Sequence, residues 1–148
     1  GNGRNSIVAN DCIARNTDYS DFAMQAQVVI LKGSCAGLAF RATSRTASQY
    51  DFVICLQDGF WGLRYAENGL IEPNIVQGYS TTIRNGLGQA NVLAVVASGP
   101  TITLYANGQR LGSATSSIFS AGQIGLDASG DEGNMNVALF RNVEVWVH

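Results

Sequence analysis

Histidine, lysine and charge are all scarce in this sequence, and each scarcity argues against a class of function. The 148 residues include one histidine, the terminal His148, and one lysine, Lys32. With no internal histidine, a Ser-His-Asp triad or a histidine-bearing zinc site has nothing to be built from, and Cys12, Cys35 and Cys55 are too widely spaced for a zinc motif. Charged residues make up only 14% of the chain and the net charge is −2. No basic field is available to hold a phosphate backbone or an anionic lipid surface, so nucleic acid is not an expected partner. Nor does any apolar run approach the roughly 20 residues of a membrane-spanning helix, so membrane insertion is not expected.

What is present reads as all-β. Hydrophobic residues reach 46%, and 17 glycines punctuate stretches rich in Val, Ile, Thr and Tyr. The length suits one domain over residues 1–148, since no linker, repeat or low-complexity tract divides it. The chain begins with glycine, as a processed chain or a piece of a longer one would.

Period-two alternation predicts strands at Asp21 to Leu31, Cys35 to Ala42, Gln49 to Gln57 and Phe60 to Ala66. Further β-rich stretches run through Asn91 to Ala97, Thr101 to Ala106, Gln109 to Ala114, Gln123 to Asp127 and Asn136 to Val147. Asp58-Gly59 predicts a two-residue hairpin turn that sets Leu56 opposite Trp61, Ile54 opposite Leu63 and Phe52 opposite Tyr65. Asn107-Gly108 predicts a second, with Ala106 opposite Gln109 and Leu104 opposite Leu111. Side-chain facing across the polar loop from Thr43 to Ser48 sets Phe40 opposite Tyr50 and Leu38 opposite Phe52. The same register brings Cys35 opposite Cys55, which favours a bridge there over one to Cys12; three unbridged thiols are the alternative.

Away from the core, this arrangement is expected to gather Gln25, Gln27, Arg41, Gln49, Asp51 and Arg64 on one outer face. Planar amide, carboxylate and guanidinium groups suit sugar hydroxyls as hydrogen-bond partners, although an antiparallel sheet commonly presents one polar face for solvation alone.

The run Asp21-Phe22-Ala23-Met24-Gln25-Ala26-Gln27-Val28, the segments Gly37 to Ala42 and Tyr50 to Cys55, and the Asp58-Gly59 turn resemble extracellular bacterial domains of the concanavalin A-like lectin/glucanase superfamily, in its laminin-G-like and sugar-hydrolase-like branch. Thr101 to Gly108, Gly122 to Leu126 and Phe140 to Trp146 resemble that family's closing hairpin, glycine-flanked strand and final strand. The resemblance implies a two-sheet antiparallel jelly-roll sandwich, and a secreted or cell-surface module for carbohydrate binding or adhesion. The start is short for the family: either strands are missing, or Ser6 to Arg15 supplies them.

Glycoside hydrolysis needs a pair of carboxylates, and the family's Glu-x-Asp-x-x-Glu strand motif is absent. The four glutamates, Glu67, Glu72, Glu132 and Glu144, are not paired along a strand face. Asp51, set between arginines, is expected to stay ionised, which suits a general acid poorly. Asp127, Asp131, Glu132 and Asn134 crowd one glycine-containing stretch and offer hard oxygens of the kind calcium takes. Among possible sugar platforms, Trp61 and Tyr65 are expected to be buried and Trp146 to pack, leaving Phe60, Tyr19 and Tyr79 for exposure.

The residues therefore point to a non-catalytic binding module with a glycan or a surface protein as partner. The alternative is a structural or protein-interaction subunit, self-assembling through poorly guarded sheet edges. A glycoside hydrolase-like enzyme is the third reading.

Overall fold

A computed structural model describes residues 6–9, 11–14, 16–129 and 136–147, with side chains from residue 13 onward. Two short strands, β1 (Ser6–Ala9) and β2 (Asp11–Ile13), precede the long β3 (Phe22–Lys32), so residues 6–13 do supply N-terminal strands. There follow β4 (Cys35–Thr43), β5 (Ser48–Cys55), β6 (Phe60–Glu67), β7 (Leu70–Ile71), β8 (Val76–Tyr79), β9 (Ala90–Ser98), β10 (Thr101–Ala106), β11 (Gln109–Thr115), β12 (Gln123–Ser129) and β13 (Val137–Val147). The long strands fall within a residue or two of the alternating segments, because a half-buried strand imposes that alternation. The weakly patterned β7 and β8 were not anticipated.

The strands form two antiparallel sheets. One runs β1-β13-β3-β9-β10-β11, and the other β2-β12-β4-β5-β6-β7, with β8 also pairing β6, at Phe60 to Leu63. Between the sheets lies a core in which Phe22, Leu38, Phe40, Phe52, Leu63, Leu93, Leu104 and Phe140 are fully buried. Burial of each such side chain contributes roughly 1.5–3 kcal/mol. The chain is a two-sheet antiparallel jelly-roll sandwich.

Consecutive β3 and β4 lie in different sheets. The connection at Gly33 and Ser34, where Gly33 has φ 96°, crosses between layers. Phe22 of β3 meets Phe40 of β4 through the core, with ring centroids 5.9 Å apart. This corrects the placement of Gln25 and Gln27: they lie in the β13-β3-β9 sheet, on the opposite side of the sandwich from Asp51 and Arg64.

The β4–β5 register is the one expected, with Phe40 opposite Tyr50, Leu38 opposite Phe52 and Cys35 opposite Cys55. A disulfide joins Cys35 and Cys55 across a Cα separation of 4.1 Å. Cys12 lies in β2, opposite Leu126.

Both hairpin registers need correction. At Asp58-Gly59 the loop is longer than two residues: a 3-10 turn at Gln57–Gly59, with Asp58 at φ 59°, sets Ile54 opposite Trp61, Phe52 opposite Leu63 and Tyr50 opposite Tyr65. The slip is by two residues, so every side chain keeps its face. At Asn107-Gly108 the first pair, Ala106 with Gln109, is as expected. A bulge between Leu104 and Tyr105 then sets Leu104 opposite Gly112 instead of Leu111.

Bulges also move two aromatic or charged side chains. In β4 the register shifts after Phe40, and Arg41 takes φ 48°, which withdraws its side chain from the outer face to 1% exposure. In β13 the shift between Arg141 and Glu144, with Asn142 at φ 54°, turns Trp146 outward opposite Ala23, and it is 47% exposed where packing was expected.

Candidate functional site

The outer face of the β12-β4-β5-β6-β8 sheet is built in rows. Register aligns Gly125, Ala39, Asp51 and Arg64 in one row, and Asp127, Gly37, Val53, Gly62 and Gln77 in the next. A third row holds Ser129, Cys35, Cys55, Phe60 and Tyr79. Gly125, Ala39, Gly37 and Gly62 make a floor with almost no side chains, over which larger groups can reach.

At one end of this floor stands a charged cluster. Nε of Arg64 lies 3.9 Å from Oδ2 of Asp51, and its Nη2 lies 3.8 Å from Oδ2 of Asp127. Nε2 of Gln49 donates to Oδ1 of Asp51 at 2.7 Å. Arg64 thus spans two carboxylates at ion-pair distance, and its buried Nε makes no hydrogen bond among the described residues. Guanidinium, carboxylate and amide groups gathered in this way are of the kinds that hydrogen-bond sugar hydroxyls.

At the other end stand two aromatic rings. Phe60 and Tyr79 pair edge to face, with centroids 5.7 Å apart, and Tyr79 is 68% exposed. The Phe60 ring leans back over the floor, since a Cβ on Gly62 would lie 3.2 Å from its Cζ. Beside them Nδ2 of Asn74 donates to Oε1 of Gln77 at 2.6 Å. The rings, the disulfide, Ser34, Gln57 and Asp58 line a pocket of about 320 Å³. Arg64 and Phe60 are four residues apart on one strand, so the face spans about 13 Å between charged and aromatic ends.

Of the six residues expected on one polar face, the structure brings together Gln49, Asp51 and Arg64. Gln25 and Gln27 are on the far sheet, and Arg41 is buried at a bulge. Asp127, expected among calcium ligands, faces Arg64, while Asp131, Glu132 and Asn134 lie outside the described residues. Tyr79 is exposed as expected, whereas Phe60 and Tyr19 are half-buried. Sequence reasoning missed Asn74 and Gln77, because β8 is short and follows a segment without alternation.

No protein-family model matches the sequence, and a search of curated proteins finds no match. Solved structures do match. Carbohydrate-binding module CBM66 from Bacillus subtilis aligns with a TM-score of 0.81 at 21% identity, covering 98% of this chain and 96% of that one. Sheep galectin-11 aligns with a TM-score of 0.63 at 11% identity, covering 95% of this chain and 97% of that one. A β-glucanase from Bacillus licheniformis aligns with a TM-score of 0.62 at 12% identity, covering 93% of this chain and 77% of that one. These likenesses establish the concanavalin A-like lectin/glucanase fold.

Proposed function

We propose that this domain is a non-catalytic carbohydrate-binding module acting outside the cell, and that glycan lies along the outer face of the β12-β4-β5-β6-β8 sheet. The observation that carries the reading is the joint presence, over one floor of glycine and alanine, of the Gln49-Asp51-Arg64-Asp127 cluster and the exposed Tyr79 ring. Polar planar groups fix sugar hydroxyls, and an aromatic face takes the apolar side of a sugar ring. Similarity in fold to a carbohydrate-binding module and to a galectin supports the same reading. The Cys35–Cys55 bridge suits an oxidising compartment.

Catalysis is not favoured by this geometry. A retaining glycosidase holds two carboxylates about 5 Å apart and open to one bond, whereas here the Arg64 guanidinium sits between Asp51 and Asp127.

A glycan array probed with the domain, repeated with Arg64→Ala, tests the proposal. Specific binding that is lost in the variant supports it. Absence of binding across plant, bacterial and animal glycans, or binding indifferent to Arg64, would sink it and favour a protein partner.

A further inference from the structure

Arg41 has the largest fully buried side chain among the described residues, and the glycan face makes no use of it. Its Nε and Nη2 donate to the carbonyl of Ser20 at 3.1 and 2.7 Å, and its Nη1 donates to the carbonyl of Phe119 at 3.2 Å. A guanidinium has five N–H donors, so two are left, one on each terminal nitrogen. The nearest carboxylate, Oδ1 of Asp21, lies 3.7 Å from Nη2, beyond hydrogen-bond reach, and accepts instead from the backbone N–H of Gly99 at 2.9 Å. Burial lowers the pKa of Arg41, with Tyr50 and Asp21 opposing the shift, yet arginine keeps its proton in proteins. A buried cation is therefore ion-paired with Asp21 at its edge and holds two donors to spare.

Over this cation the sandwich opens into a pocket of about 200 Å³, lined by Arg41, Pro100, Phe119 and the serines at 116, 117 and 120. Its walls are held in place from below. The Tyr50 hydroxyl lies 2.7 Å from Oγ of Ser116 and accepts from the backbone N–H of Phe119 at 3.2 Å, and the Tyr50 and Phe119 rings pack edge to face at 5.1 Å. The volume is below the range of drug-sized ligand sites and suits one small molecule. A carboxylate is the group that a partly desolvated guanidinium with free N–H donors binds best.

We propose that the Arg41 pocket is a second binding site, separate from the glycan face, that takes the carboxylate of a small acid such as a uronic acid, with Phe119 and Pro100 against its apolar part.

The test is an NMR titration of the whole domain with sodium acetate and with sodium glucuronate, against glucose and against sodium chloride at equal ionic strength. Both carboxylates are expected to give saturable shifts at the amides of Gly99 and residues 116–120 and at Nε–H of Arg41. Glucose and chloride are expected to give none there. Ser117→Trp, which fills the pocket while keeping the arginine, is expected to weaken carboxylate binding about tenfold or more while resonances elsewhere keep their positions. Shifts that fail to saturate, that chloride or glucose reproduces, or that persist in Ser117→Trp would overturn the proposal. Arg41→Lys serves as a second variant if it folds: retained charge without the planar fork should weaken acetate binding, and unchanged binding would count against the arginine.

Discussion

The indole of Trp61 fills the space that a side chain on Gly112 would need: a Cβ built there would lie 2.6 Å from Cη2. Gly78 meets the same ring from the other sheet, its Cβ position 2.9 Å from Cζ2. Trp61 thus closes the gap between β8 and β11 only because both neighbours are glycine. Gly112→Ala and Gly78→Ala are expected to cost about 1–3 kcal/mol each by overpacking, read from urea unfolding. In the Trp61→Phe background the cost should shrink, since a smaller ring leaves room. A loss within about 0.5 kcal/mol, as at an ordinary surface site, would mean that the ring moves aside freely.

The Cys35–Cys55 bridge closes a loop of sequence separation 20. Denatured, unreduced protein should titrate one thiol per chain, that of Cys12, and three thiols would rule the bridge out. Reduction should lower stability by about 3 kcal/mol through the freed loop entropy.

Tyr79 allows binding to be separated from folding. Tyr79 is 68% exposed, so Tyr79→Ala should cost only about 0.5–1.5 kcal/mol of stability, through its lost edge-to-face pair with Phe60, while weakening glycan binding about tenfold. Calorimetric titration of an array hit measures it, and unaltered affinity would remove the aromatic end from the site.

Asn91 is 1% exposed, and its side chain accepts from the backbone N–H of Arg84 and donates to the carbonyl of the same residue. Its Oδ1 also accepts from Asn107, whose Nδ2 donates to the carbonyl of Thr82 as well. The two asparagines clamp the segment from Thr82 to Arg84. Asn91→Ala should cost about 1–3 kcal/mol by stranding these groups. Hydrogen exchange at the Arg84 amide should quicken, and retained protection would argue against the clamp.

How far the sequence carried depends on whether a feature is local. Strands such as Tyr50 to Cys55 were legible because burial on one face imposes alternation, and Cys35 met Cys55 because the large side chains of β4 and β5 admit one facing. Gln25 and Gln27 were misplaced because nothing local says that β3 pairs with β9 and β13 instead of with its chain neighbour β4. Arg41 and Trp146 were misassigned for a different reason: each follows an irregularity in its strand, and one extra residue reverses every later facing. Asn107 was read only as a turn residue, while its amide also serves a distant segment. Asp51 and Arg64 were still placed on one face despite the error in hairpin register, because that error was an even number of residues.

The pairing of β1 with β13, which sets Ser6 opposite Arg141, also bears on the order in which the molecule can be made. On a ribosome the first strands emerge with no partner, and β3 waits with one side unpaired until residues 137–147 have been synthesised. Long-range pairing of this kind slows folding, so the nascent chain stays open to mispairing until its final strand arrives between β1 and β3.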